Sequence, residues 1–222
     1  MPVALMFWIA SAALLSWGQD SARIVQPGAP GTNSKVLTPA TVGLGTRPPL
    51  DADTNFMQGM IMHHSQAVEM SALMPARTKN KRLLAFGKKI SISQTDEIKF
   101  MRDWLAERGK AVPTEHDQME HMAHMSHMDH TKGMDMGSMP LMPGMLTAEQ
   151  MKALAKASGA KFDYLFLTGM IQHHTGALIM VQDLFDSPAA GQDPQLYDFA
   201  TDIDNTQTAE INIMKGMLKE KK

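Results

Sequence analysis

"DADTNFMQGMIMHHSQAVEMSALM", residues 51 to 74, returns later in the chain as "FDYLFLTGMIQHHTGALIMVQDLF", residues 162 to 185. Setting Asp53 against Asp163 gives a constant offset of 110, at which Asp, Phe, Gly, Met, Ile, His, His, Ala and Met coincide over eighteen positions. In the first copy Phe56, Met60, His63, Ala67, Met70 and Met74 follow alternating steps of four and three, the seam of a helix packed on one face. Phe166, Met170, His173, Ala177, Met180 and Leu184 repeat it. One histidine of each copy therefore points into the core. Its neighbour, His64 or His174, lies one residue on, roughly 100° around the helix.

A second match follows each copy at an offset of 113: Phe86 with Phe199, Ile90 with Ile203, Gln94 with Gln207, Thr95 with Thr208, Glu97 with Glu210 and Met101 with Met214. Each unit is thus a helix, a break and a longer helix. "PARTKN" and "DSPAAGQDP" supply the breaks, and both carry the proline that ends helices. One hairpin cannot bury its apolar face alone, so two of them predict an all-α, antiparallel four-helix bundle with a shared core. No sheet-type alternation interrupts this pattern.

The ends and the middle read differently. "MPVALMFWIASAALLSWG" is uncharged and mostly apolar from Val3 to Leu15, then reaches small residues around Trp17, which predicts a signal peptide over residues 1–18. The run is short of the ~20 apolar residues a membrane-spanning helix needs, so no membrane span is expected after cleavage. Residues 19–50, rich in Pro, Gly and Thr, read as a flexible tether to the duplicated domain, residues 51–222. That domain divides into a hairpin over 51–110, a Met/His-rich loop over 111–146 and a hairpin over 147–222. "LTAEQMKALAKASG" from Leu146 opens the second hairpin with a short helix, Thr147 as its N-cap and Gln150 at the capping-box position.

The 222 residues carry 21 basic and 23 acidic side chains, with no basic stripe interleaved with aromatics, so a nucleic-acid partner is not expected. Methionine is the abnormal component: there are 22, more than the leucines, and no cysteine. Glu115 to Met145 alone holds nine methionines and five histidines, punctuated by Gly133, Gly137, Pro140, Pro143 and Gly144. Within it "HMAHMSHMDH", residues 121 to 130, repeats every three residues, which drifts around a helix and makes no stripe. This segment reads as a mobile loop.

Imidazole nitrogen suits copper, zinc, iron and nickel, whereas the neutral thioether is a soft ligand for Cu(I) and, on the same ground, Ag(I). Combining both in one segment suits an ion that changes oxidation state. The loop candidates are His116, Met119, His121, Met122, His124, Met125, His127, Met128 and His130, with copper as the expected ion and silver as a further soft one. A disordered spacer of biased composition, or a histidine-only zinc or nickel buffer, are the competing readings. On the helices the candidates are Met60, His63 and His64, and Met170, His173 and His174, each set a Met-x-x-His-His motif. Packing is the alternative for these methionines and hydrogen bonding in the core for the histidines. All nine histidines nevertheless fall in the two motifs or the loop. On the longer helices Gln94, Glu97 and Met101, like Gln207, Glu210 and Met214, share a face. They either orient the imidazoles from outside or form a solvated edge.

The paired "MIMHH" and "MIQHH" motifs, each followed at a fixed distance by alanine and then methionine, resemble the bacterial domain-of-unknown-function family DUF305, and more narrowly its CopM-like exported copper-binding members. The resemblance covers about Asp51 to Lys222. It implies a ferritin-like four-helix fold, an extracytoplasmic or periplasmic location, and copper held by Met60, His63, His64, Met170, His173 and His174.

Three functions compete. The first is a binding protein without turnover that captures, buffers or delivers Cu(I) and Cu(II) for copper homeostasis, which would call for a copper-exporting or copper-accepting partner. The second is a ferritin-like metal oxidase. Di-iron bundles of that kind use Glu-x-x-His, and no histidine of this chain has glutamate three residues before it, so no enzyme is expected. The third is a helical interaction module whose histidines bind no metal.

Overall fold

A computed structural model describes residues 24–26, 35–37, 48–114 and 142–220. The chain divides into two units, Met1–Thr46 and Arg47–Lys222. In the first, strands β1 (Ile24–Gln26) and β2 (Lys35–Leu37) pair antiparallel, Ile24 opposite Leu37 and Gln26 opposite Lys35. These strands lie in the segment expected to be an unstructured tether. Three residues are too few to display the alternation that marks a strand in sequence. The leader assigned to residues 1–18 lies outside the described residues.

The second unit is all helical among its described residues: α1 (Asp51–Ala72), α2 (Met74–Arg77), α3 (Lys81–Glu107), α4 (Ala148–Lys156), α5 (Gly159–Asp186) and α6 (Pro194–Lys219). Their ends follow local chemistry. Asn80 and Asp193 accept the amides of Leu83 and Leu196 at 3.2 and 3.1 Å, and Pro194 occupies the first turn of α6, where its missing N–H is not needed. Thr147 and Gln150 form the expected reciprocal capping box at the start of α4.

α1 packs along α3, α5 along α6, and α1 meets α5. The start of α1 meets the segment after α5, where the Gly191 amide donates to Asp53 Oδ1 at 2.7 Å. α3 is joined to α6 at both ends, by Arg82 with Glu220 and by Arg108 with Asp193 at 2.8 Å, and Phe100 stacks on Phe199 between them. Every neighbouring pair in the ring α1, α3, α6, α5 thus runs antiparallel, which makes a four-helix bundle from two duplicated hairpins.

The core has two apolar halves. One gathers Met70, Phe86, Ile90, Phe166, Met170 and Met214. The other gathers Phe56, Met60, Met101, Trp104, Ala177 and Ile203. On α1, α3, α5 and α6 alike, a polar step separates the residues of one half from those of the other: His63 and His64, Gln94 and Glu97, His173 and His174, Gln207 and Glu210. The apolar seams read from the sequence are buried except at Met180, which is half-buried.

One expectation fails at its edge. The interhelix segment read as mobile includes Met142–Met145, yet these residues are seated against the bundle. Pro143, Met145 and Leu146 all make backbone hydrogen bonds to side chains of α1 or α5. Glycine and proline here set a sharp turn, Gly144 taking φ +76°, rather than marking loose chain. His116, Met119, His121, Met122, His124, Met125, His127, Met128 and His130 lie outside the described residues.

Candidate metal centre

α1 and α5 cross at their histidine pairs. The rings of His63 and His173 face each other with centroids 3.8 Å apart and planes 40° from parallel. His173 Nε2 donates to the backbone carbonyl of His63 at 2.8 Å. In an exact two-fold His63 would donate to the carbonyl of His173; instead it donates to Pro143 O at 3.0 Å. His64 and His174 turn away from this pair toward the outer helix of their own hairpins. His64 Nε2 donates to Glu97 Oε2 at 2.6 Å, and His174 Nε2 to Glu210 Oε2 at 2.8 Å. All four histidines have 0% exposure, so burial extends beyond the single inward histidine per copy that the helical seam predicts. The outer helix of each hairpin covers the second ring.

Glu97 and Glu210 therefore orient imidazoles, which resolves their two readings from sequence. Glu97 also accepts from Ser93 Oγ at 2.8 Å. Burial by itself would raise its pKa, but the hydrogen bonds from His64 and Ser93 outweigh it and hold the carboxyl below its ordinary value. Gln94 and Gln207, one turn away on the same faces, are each 2% exposed, with neither amide oxygen nor nitrogen partnered.

A carbonyl or a carboxylate can only accept, so all four Nε2 atoms carry the hydrogen. None of the four Nδ1 atoms has a partner, and on a neutral ring that nitrogen presents a bare lone pair. The two inner rings, His63 and His173, are also kept neutral. Burial, then the charge of His64, pushes His63 from 6.5 down to about 3. Burial and the neighbouring His63 hold His173 well below its ordinary value. Neutral imidazole with a free lone pair, its other nitrogen anchored, is the state that ligates a metal. Met60 and Met170, three residues before the inner histidines, are wholly buried. Among the described residues no three His, Asp or Glu side chains form a ligand group by themselves.

Sequence reasoning missed the segment that covers this centre. Gln66 binds the backbone of Leu146 twice, donating to its carbonyl at 3.0 Å and accepting its amide at 2.8 Å. Gln172 Nε2 donates to Met145 O at 3.2 Å. Gly176 admits the backbone of Pro143, whose oxygen would lie 1.9 Å from a Cβ at that position. The available signal was a difference between the copies: at the offset of 110, Gln66 matches Gly176 and Met62 matches Gln172. The repeat departs from itself where the segment docks.

The sequence profile of "Domain of unknown function (DUF305)" matches residues 53–218. An uncharacterised protein of Acanthamoeba polyphaga mimivirus is 43% identical over 56 residues, covering 25% of this chain and 37% of that protein, so the match spans little over a third of its length. A candidate secreted DUF305 protein from Streptomyces coelicolor has a similar structure, with TM-score 0.59 and 28% identity over 76% of this chain and 93% of that one. CopM in its Cu(II)-bound form is similar at TM-score 0.55 and 26% identity, covering 77% of this chain and 97% of that one. Its Cu(I)-bound form gives 0.54 and 25%, covering 76% and 96%. Its co-crystallised silver form gives 0.53 and 25% with the same coverage.

Proposed function

The chain belongs to the DUF305 family, and on that premise we propose that it is an exported copper-binding protein that captures, buffers or delivers Cu(I) and Cu(II) without turnover. One observation carries the reading: four wholly buried imidazoles have Nε2 anchored and Nδ1 bare, inside two Met-x-x-His-His motifs. An unpartnered buried polar atom costs about 1–3 kcal/mol, and a purely structural module would shed that cost by carrying leucine at these positions. Metal ligation is the gain that offsets it. CopM, similar in structure, is known with Cu(I), Cu(II) and silver bound, which supports the choice of ion.

The loop methionines and histidines add binding capacity outside the bundle, and a copper-exporting or copper-accepting protein is the partner for delivery. Export rests on the apolar leader at residues 1–18, in keeping with the candidate secreted relative; no described helix is long and apolar enough to cross a membrane. An oxidase is disfavoured by the lack of Glu-x-x-His anywhere in the chain.

Metal analysis of the chain purified from copper-supplemented cells tests the proposal. Copper at one equivalent or more, without iron, is expected. Metal-free protein would point to an interaction module, and bound iron with oxygen consumption to an oxidase.

A further inference from the structure

We propose that Met142–Leu146 is a strap that controls access to the inner histidines, and that Gln66 is the positioning residue that holds it shut. The proposal rests on the reading of His63 and His173 as copper ligands.

The bundle leaves a gap that the strap fills. α3 covers α1 on one flank and α6 covers α5 on the other, as the contacts of His64 with Glu97 and of His174 with Glu210 mark. The seam between α1 and α5, where His63 meets His173, is closed by the strap. Its course follows the pseudo-two-fold of the repeat. At one end Met142 Sδ and Met180 Cε come within 3.6 and 3.4 Å of a Cβ built on Gly59. At the other, Leu146 Cδ2 and Met70 Cε come within 3.0 and 3.3 Å of one built on Gly169. Gly59 and Gly169 are equivalent positions of the two copies, and so are Met70 and Met180. The strap therefore lies along the seam, with Gly144 against Gly176 at its middle.

The polar contacts that hold it are specific and few. Gln66, 2% exposed, makes two of the bonds, Gln172 one, and His63 itself the fourth, through Pro143 O. A five-residue segment held by these four bonds and by the burial of Met145 and Leu146 is small enough to open without unfolding the helices beneath it. When it opens, the inner face of His63 meets solvent and loses the carbonyl that fixes its tautomer. A histidine with 0% exposure needs such an opening for an ion to arrive or leave. The strap is also the C-terminal end of the Met/His-rich segment, so the chain that would collect copper is continuous with the cover of the buried site.

The test labels histidines of the full, metal-free chain with diethylpyrocarbonate and reads each residue's rate by peptide mass spectrometry. The variants are Gln66→Leu, which removes two strap bonds, and Gly176→Ala, whose Cβ displaces Pro143; circular dichroism checks that each stays helical. The expected result is labelling of His63 and His173 faster by about tenfold in either variant, with His64 and His174 unchanged, as local opening requires. The same variants should load Cu(I) from a chromophoric chelate correspondingly faster, with the same final stoichiometry. Unchanged labelling of the inner pair, or an equal rise at all four histidines, would overturn the strap. Failure of the copper reading is separate: there, His63→Ala with His173→Ala would take up as much copper as the parent, whatever the labelling shows.

Discussion

At His63, burial and the neighbouring His64 outweigh the Pro143 carbonyl, which favours the charged ring, and this balance makes the fold sensitive to acid. The folded-state pKa of about 3 lies below the ordinary value of 6.5, so the neutral ring's contribution is fully present above pH 6.5 and is lost as pH falls toward 3. Between pH 7 and pH 4 His63 alone removes about 3 kcal/mol, and His173, shifted the same way, adds to it. Urea denaturation of metal-free protein at the two pH values should show the midpoint falling steeply; equal midpoints would mean the rings are not buried neutral. Glu97 and Glu210 act on the outer pair. Changing either to glutamine keeps size but weakens the acceptor, and should lower copper affinity ten- to a hundredfold without changing stoichiometry, measured by chelator competition. The inward histidines were legible in sequence because they sit on an apolar seam. The direction of His64 and His174 was not, since a position 100° off that seam is buried or exposed according to what the next helix places there.

Among the elements, the helices were legible and the strap was not. Periodicity, caps and proline breaks are local, so α1, α3, α5 and α6 could be read from spacing, and Thr147 with Gln150 gave the start of α4. The docking of Met142–Leu146 depends on Gln66, eighty residues earlier, and Gly176, thirty-two residues after Gly144, and no local pattern records that pairing. Strands β1 and β2 escaped because three residues carry no period. The turn between α5 and α6 is stabilised by one residue that serves several groups. Asp193 caps α6 and also binds Trp104 Nε1 at 3.3 Å and Arg108 Nη2 at 2.8 Å. Asp193→Ala should destabilise the domain by about 2 kcal/mol, read by urea or thermal unfolding, because a cap and partly buried partners are lost together. A change within a few tenths would assign these contacts to a solvated surface.

For the molecule as a whole, duplication yields two hairpins whose apolar residues close a core on either side of a polar layer. Each buried Leu, Met or Phe contributes roughly 1.5–3 kcal/mol, so the fold is expected to form without an ion. Chelator-treated protein should keep its helical circular dichroism; collapse to coil would make copper a folding ligand. The buried histidine layer is expected to bind copper in its own right, apart from the loop. Copper titration, followed by absorption, of a chain whose residues 115–141 are replaced by a short Gly/Ser linker, with the strap left in place, measures this. That chain should bind at least one copper ion, and replacing His63, His64, His173 and His174 by alanine should abolish it. Loss of all binding on removing the loop alone would leave the four buried histidines as packing residues, with no copper site in the bundle.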